Sequence, residues 1–184
     1  MSSYPSRRST GGLIDRDRLI PFQFNGRHYK GYPGDTLASA LLANGIRVVA
    51  RSFKYHRPRG VVGAGFEEPN ALVQLQGTSE EPNVLATCLP LTDHLHAKSQ
   101  NCWPGPRFDL GSVNDRISRL IPAGFYYKTF MWRPWDSYAR VIRKAAGLGQ
   151  IPKTTESENY EKRYHHCDIL IVGAGPSGLA AALV

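Results

Sequence analysis

Cysteine is scarce in this sequence: only Cys88, Cys102 and Cys167 are present, scattered and odd in number. That count speaks against a disulfide framework and fits a reducing compartment. No CxxC or CxxxC pair occurs, so the usual zinc and dithiol signatures are missing and no metal site is expected. Long apolar runs are missing too. Nothing approaches the roughly 20 residues needed to span a bilayer, and Met1 to Gly12 is polar, without the apolar core of a signal peptide. The expectation is a soluble, cytoplasmic protein with no membrane partner. Acidic residues are thin in the first third. Residues 1–60 hold 11 Lys/Arg and 3 Asp/Glu, residues 61–110 hold 2 and 6, and residues 111–184 hold 10 and 6, giving +8 overall. A basic N-terminal third suits an acidic partner subunit or nucleic acid. No recognised nucleic-acid module accompanies the charge, so nucleic acid is not expected.

What is present is a globular composition, 41% hydrophobic and 21% charged, over a length of 184 residues that allows one domain and a remainder. Ile20, Phe22 and Phe24 alternate with polar neighbours, and Asn25-Gly26 supplies the positive backbone angles of a tight hairpin. The return strand runs through His28 and Tyr29 to about Tyr32. Asp35 or Thr36 caps a short helix, Leu37 to Ala43, which Asn44-Gly45 closes. A second apolar run, Ile46 to Ala50, follows. Residues 51–70 read as a loop, Ala71 to Gln76 and Val84 to Cys88 as strands, and Asp93 to Trp103 as a connection of undefined form. A helix is expected near Ser112 to Leu120. Another is capped by Asp136 and runs through Ala146, with Tyr138, Val141, Ile142 and Ala145 at helical spacing. Pro152 to Arg163 reads as a linker, and there are no internal repeats.

Hairpin, helix, then further strands is the order of a small β-grasp domain. With the two motifs at residues 59–70 and 168–184, the expected fold class is α+β: a β-grasp ferredoxin-like N-terminal domain lacking its cluster, then the first β-strand and helix of a Rossmann-type dinucleotide-binding domain. The expected divisions are 1–14 as a flexible basic arm, 15–100 as the β-grasp domain, 101–163 as an aromatic-rich connecting region, and 164–184 as the truncated start of the Rossmann domain.

Residues 168–184 carry the dinucleotide fingerprint. The apolar run Ile169 to Val172 suits a buried parallel strand, and Gly173-Ala174-Gly175-Pro176-Ser177-Gly178 precedes a helix-forming Leu-Ala-Ala-Ala. Gly173 permits the tight turn, Gly175 lets a pyrophosphate approach the backbone, and Gly178 lets helix and strand pack closely. Gly173, Gly175, Pro176, Ser177 and Gly178 are therefore the candidate cofactor-binding residues. The acidic ribose-binding residue expected about 20 positions further on lies beyond Val184, which leaves both NAD and FAD open.

A second pattern begins at Arg59-Gly60-Val61-Val62-Gly63-Ala64-Gly65-Phe66-Glu67-Glu68-Pro69-Asn70. It resembles the loop of plant-type ferredoxins, which needs Cys-x₄-Cys-x₂-Cys and a distant fourth Cys to supply four thiolates. Val62, Glu67 and Asn70 stand at the first three ligand places, and only Cys88 falls where the fourth belongs. One thiolate does not hold a cluster, so the expectation is a domain with no iron–sulfur cluster that serves as structure or interface.

Several strings together resemble the alpha-subunit family of heterotetrameric sarcosine oxidases. They are Gly34 to Leu41, Arg51-Ser52-Phe53-Lys54-Tyr55-His56-Arg57-Pro58-Arg59-Gly60, Ser99 to Pro104 and Ala123 to Met131. Ala145 to Gly149 and the GAGPSG loop continue the match, which covers nearly all of residues 15–184. The resemblance implies a longer subunit carrying NAD, with FAD less favoured, and a C-terminal folate-type domain. It implies FAD and FMN in an assembly with beta, gamma and delta subunits, and sarcosine and tetrahydrofolate as small-molecule partners. The implied reaction is oxidative demethylation of sarcosine to glycine with formation of hydrogen peroxide. It assigns no catalytic residue inside these 184 positions. Subunits of related opine or proline dehydrogenases, or a non-catalytic ferredoxin-like assembly module, are the alternatives.

Three further features invite chemistry. His94-Leu95-His96 places two imidazoles on one face of a strand, and His165-His166-Cys167 sets three potential ligands in a row. A solvated segment and a linker are the readings preferred for them. In residues 51–59 rings and cations interleave in a way that suits RNA stacking. It equally suits a loop held against another domain with its Arg groups paired, and that interface reading is preferred. Phe125, Tyr126, Tyr127, Phe130, Trp132 and Trp135 are expected to form packing.

Overall fold

A computed structural model describes residues 6–77, 80–120, 124, 134–146, 149 and 161–184. It divides the chain into two units, Met1–Lys153 and Thr154–Val184.

The first unit is organised by a hairpin of β1 (Ile20–Phe24) and β2 (Arg27–Gly31). Asn25 and Gly26 have φ of 51° and 74°, the left-handed pair that a two-residue hairpin turn requires. That turn fixes the register, with Phe22 opposite Tyr29 and Phe24 opposite Arg27. Ile20, Phe22 and Phe24 then all point into the core, where burying each contributes about 1.5–3 kcal/mol. A slip of one residue would turn all three toward solvent.

Helix α1 (Leu37–Ala43) covers this face, with the boundaries expected from its sequence. Thr36 and Ser39 form a reciprocal capping box: Ser39 N–H donates to Thr36 Oγ1 and Thr36 N–H to Ser39 Oγ. At the other end Gly45, with φ of 76°, places its own N–H on Leu42 O and the Ile46 N–H on Leu41 O. This pair of bonds is the Schellman closure. Leu37, Ala38, Ala40 and Leu41 are buried, and a methyl group at Gly31 would lie 2.4 Å from Leu91 Cδ2 and 3.1 Å from Ala40 Cβ. Gly31 therefore sets how closely strand and helix approach.

The sheet has the order β2-β1-β7-β5-β6, with β5 at Leu72–Gln76, β6 at Val84–Leu85 and β7 at Leu95–Ser99. β7 lies parallel to β1, with Phe22 opposite Leu95, and antiparallel to β5, with Leu75 opposite Ala97. A hairpin, a covering helix and a returning strand laid parallel beside β1 make a mixed ferredoxin-like sheet. A separate two-stranded ladder joins β3 (Ala50–Arg51) to β4 (Pro58–Arg59).

Several expectations are corrected. Of the run Ile46 to Ala50 only Ala50 enters a ladder, because Ile46 is used to close α1. The strand expected over Val84 to Cys88 ends at Leu85, whose carbonyl accepts from both Cys88 and Leu89 N–H and so turns the chain. The undefined segment 93–103 contains β7. The helix expected near 112–120 is broken into a 3₁₀ turn, Leu110–Ser112, a short α2, Val113–Arg116, and a second 3₁₀ turn, Ser118–Leu120. Helix α3 spans Trp135–Ala146, so Asp136 sits in its first turn rather than at its cap. In the N-terminal arm, Arg7 is tethered by two hydrogen bonds to the buried carboxylate of Asp35.

In the second unit, Ile169 to Val172 form no ladder among the described residues, and Ile169, Leu170 and Val172 are exposed. An extended segment is a strand only where a neighbour takes up its N–H and C=O groups, and no such neighbour lies among the described residues. Helix α4 follows at Pro176–Ala182, with Pro176 at its start, where the missing N–H costs nothing. Among the described residues no helix is long and apolar enough to cross a membrane.

Candidate functional site

Three places gather the residues singled out in the sequence. The first is the loop between β4 and β5. Its centre is not Val62, Glu67 or Asn70 but Glu68, which is 2% exposed. One carboxylate oxygen accepts the backbone N–H groups of Val62 and Gly63, at 2.6 and 2.5 Å. The other accepts those of Asn70 and Ala71, at 2.7 and 3.2 Å. Burial pushes the Glu68 carboxyl up, but the bonds from Gly63, Asn70, Val62 and Ala71 outweigh it and hold the group below its ordinary value. Gly63 belongs to the same arrangement, since a Cβ there would sit 3.2 Å from the Glu68 backbone. Glu67 is exposed and accepts from Ala64 and Gly65 N–H, which lowers its pKa as well. Thr87 donates its hydroxyl to Gly65 O at 2.9 Å, which ties the segment carrying Cys88 to this loop.

Glu68 falls between two ligand positions of the ferredoxin pattern and so is not among the residues that pattern singles out. The available signal was an acidic residue followed by proline inside a glycine-rich turn, where a carboxylate finds free N–H donors.

The second place is the string Arg51 to Gly60. Arg51 donates from Nε to Pro106 O and from Nη1 to His56 O, both at 2.8 Å, and from Nη2 to Arg107 O at 3.3 Å. His56 and Asp109 are both buried, with Nδ1 and Oδ2 2.7 Å apart. Asp109 Oδ1 accepts from the N–H of Trp103 and Gly111. Arg57 pairs with the exposed Asp115, and Lys54 and Arg57 stand over the Tyr55 ring. Residues 51–57 thus act as a clamp on residues 101–116; the clamp lies inside one unit, whereas the expectation was a loop held against another domain or subunit. Beside it, burial and the neighbouring Asp109 push the Cys102 thiol up to about 11.

The third place is the glycine loop of the second unit. Gly173 has φ of 111°, outside the range favoured by residues with a Cβ. A Cβ at Gly178 would meet Gly173 O at 2.0 Å, whereas one at Gly175 would meet open space. Gly178 therefore permits the close approach within the turn, and Gly175 leaves the backbone open on one side. Pro176 and Ser177 open α4. These features fit a pyrophosphate cradle.

Other candidates do not come together. His94 and His96 are both exposed, and among the described residues no group of three or more His, Cys, Asp or Glu side chains is placed to hold a metal ion. His165, His166 and Cys167 are exposed. Of the expected aromatic packing, residues 125–132 lie outside the described residues, and Trp135 is exposed. Val62, Phe66, Trp103 and Phe108 are also exposed.

Residues 17–102 match a family described as a 2Fe-2S iron-sulfur cluster binding domain. This overturns the expectation of a domain with no iron–sulfur cluster, since the matching family is one of cluster binders. The donors of this chain do not fit the group. Val62, Glu67 and Asn70 bring no thiolate to the loop, and a cluster of this type needs four cysteines.

Over its whole length the chain is 54% identical to sarcosine oxidase subunit alpha of Rhizobium meliloti (strain 1021), covering 19% of that protein. It is 32% identical, over 97% of its length, to sarcosine oxidase subunit alpha of Corynebacterium sp. (strain P-1), covering 14% of it. The chain thus spans about a fifth or less of the curated relatives it matches. The crystal structure of L-proline dehydrogenase from P. horikoshii overlaps half of the chain and 17% of its own, with a TM-score of 0.40 and 23% identity, too distant to bear on function.

Proposed function

For a chain similar along its entire length to the alpha subunits of sarcosine oxidase, we propose a place in the alpha subunit of a flavin-dependent oxidase acting on sarcosine. The observation that carries this reading is the 54% identity that leaves no part of the chain out. In the assembled enzyme the N-methyl group of sarcosine is oxidised and dioxygen is reduced to hydrogen peroxide. Water releases glycine, and the one-carbon unit, at the formaldehyde level, passes to tetrahydrofolate.

The chain itself contributes an assembly surface and a loop for the pyrophosphate of a dinucleotide. Gly173, Gly175, Pro176, Ser177 and Gly178 hold that pyrophosphate, with Gly175 leaving the backbone accessible. A bound dinucleotide supplies hydride-transfer chemistry. The clamp made by Arg51, His56 and Asp109 keeps Trp103 and Phe108 in position on the outside of the first unit, where they meet subunits of the beta, gamma and delta type. The reacting groups for sarcosine belong to the assembled enzyme, and no catalytic role is assigned to a residue of this chain.

The test is the visible spectrum of the native assembly, isolated through this chain, before and after anaerobic addition of sarcosine. Flavin bands that bleach with sarcosine are the expected result. Bands indifferent to sarcosine but bleached by proline or an opine would move the chain to a related dehydrogenase, and an assembly without flavin would overturn the oxidoreductase reading.

A further inference from the structure

The loop 62–71 has the construction of an anion site. Four backbone N–H groups from two separate stretches, Val62-Gly63 and Asn70-Ala71, converge on a single buried carboxylate, two on each oxygen. Among the described residues no salt bridge involves Glu68, so its charge is met by peptide dipoles. Such converging amides form a concavity that favours anions. The carboxylate also joins the two ends of the loop: Val62-Gly63 lie just after β4, and Ala71, itself buried, lies just before β5. Remove the carboxylate, and four donors face one another with no acceptor between them. A buried donor without an acceptor costs about 1–3 kcal/mol.

We infer that residues 62–71 form a preformed cradle for a small oxyanion of the carboxylate type, with the Glu68 side chain as its tethered occupant and the pin that closes the loop. The donors are backbone N–H groups, so substituting Glu68 removes the acceptor and leaves all four donors in the chain. Emptied of Glu68, the cradle accepts a free carboxylate of the same shape.

The test uses the 184-residue chain as wild type, Glu68→Ala and Glu68→Gln. Amide hydrogen exchange is followed at Val62, Gly63, Asn70 and Ala71, with formate or chloride added at matched ionic strength. In Glu68→Ala these four amides exchange at least about tenfold faster than in wild type, since they lose their only shared acceptor. Formate, and not chloride, restores their protection and raises the melting temperature in a saturable way, while leaving wild type unchanged. Glu68→Gln keeps the volume but turns one acceptor into a donor facing N–H groups. It speeds exchange at one pair of amides and serves should Glu68→Ala fail to fold. Unchanged exchange in both variants would overturn the inference. So would a formate effect equal in wild type and Glu68→Ala, which would mark a general salt effect.

Discussion

Replacing Asp109 with alanine should unlock the clamp that holds residues 101–116. The side chains of His56 and Asp109 are only 6% and 1% exposed, so water cannot replace what is lost. The substitution leaves His56 Nδ1 without its partner at 2.7 Å and strips the Trp103 and Gly111 N–H groups of their acceptor. Leaving the buried His56 nitrogen without its partner costs about 1–3 kcal/mol, whereas the Trp103 and Gly111 N–H groups lie on exposed and half-buried residues that remain open to water. The expected loss is therefore about 1–3 kcal/mol. In a chain of this size 1 kcal/mol moves the melting temperature by roughly 2–4 °C, so Asp109→Ala should melt about 2–12 °C lower. Thermal unfolding followed by far-UV circular dichroism measures this. Asp115→Ala is the control: its partner Arg57 and Asp115 itself are 54% and 45% exposed, and such a pair contributes at most about 1 kcal/mol. The double variant His56→Ala/Asp109→Ala should fall short of the sum of its single variants by about 0.5–3 kcal/mol. An Asp109→Ala protein that melts at the wild-type temperature would refute the reasoning, because it would mean that His56 does not depend on the carboxylate.

Three other outcomes follow from the same structure. Leu41→Ala, at a side chain with no exposed surface, should cost about 2–5 kcal/mol in urea unfolding, the transfer loss plus the cavity left under the sheet. The Glu68 carboxyl is depressed in the folded chain below its ordinary value of 4.5. Its stabilising contribution is therefore complete above about 4.5 and is lost as pH falls through the lower folded value. Unfolding measured against pH should show a steeper acid limb in wild type than in Glu68→Gln. With its thiol pushed up to about 11, Cys102 should be alkylated slowly by iodoacetamide near neutral pH and faster as the solution becomes strongly alkaline, as read by peptide mass mapping.

The parts of the fold that were legible in sequence are those settled by neighbours in the chain. Asn25-Gly26 between alternating apolar residues specifies a hairpin and its register, and Thr36 with Ser39 and Gly45 specifies both ends of α1. β7 was not legible. Its sequence, Leu-His-Ala-Lys-Ser, puts one half-buried apolar residue, Leu95, and two small ones, Ala97 and Ser99, on the inner face. What makes it a strand is its position between β1 and β5, partners far away in sequence. The apolar run Ile169 to Val172 shows the converse, a strand pattern with no ladder among the described residues. Apolar pattern records a demand for burial, and a ladder forms only where another strand meets that demand.

The same division explains the candidate sites. The glycine loop could be proposed directly from sequence because a tight turn makes local demands on the backbone, such as the φ of 111° at Gly173 and the crowding at Gly178. His56 and Asp109 stand 53 residues apart, and no spacing rule links them. Glu68 was hidden for a different reason. Side-chain patterns reveal side-chain partners, and this carboxylate has peptide N–H groups as partners, which every sequence carries everywhere. Comparing the loop with a ligand pattern directed attention to positions 62, 67 and 70, where thiolates would stand. The folded chain instead puts one negative charge at position 68 and orients the amides of residues 62, 63, 70 and 71 toward it. The loop's organisation thus depends on an anion surrounded by N–H donors, an arrangement that backbone amides from two separate stretches make possible.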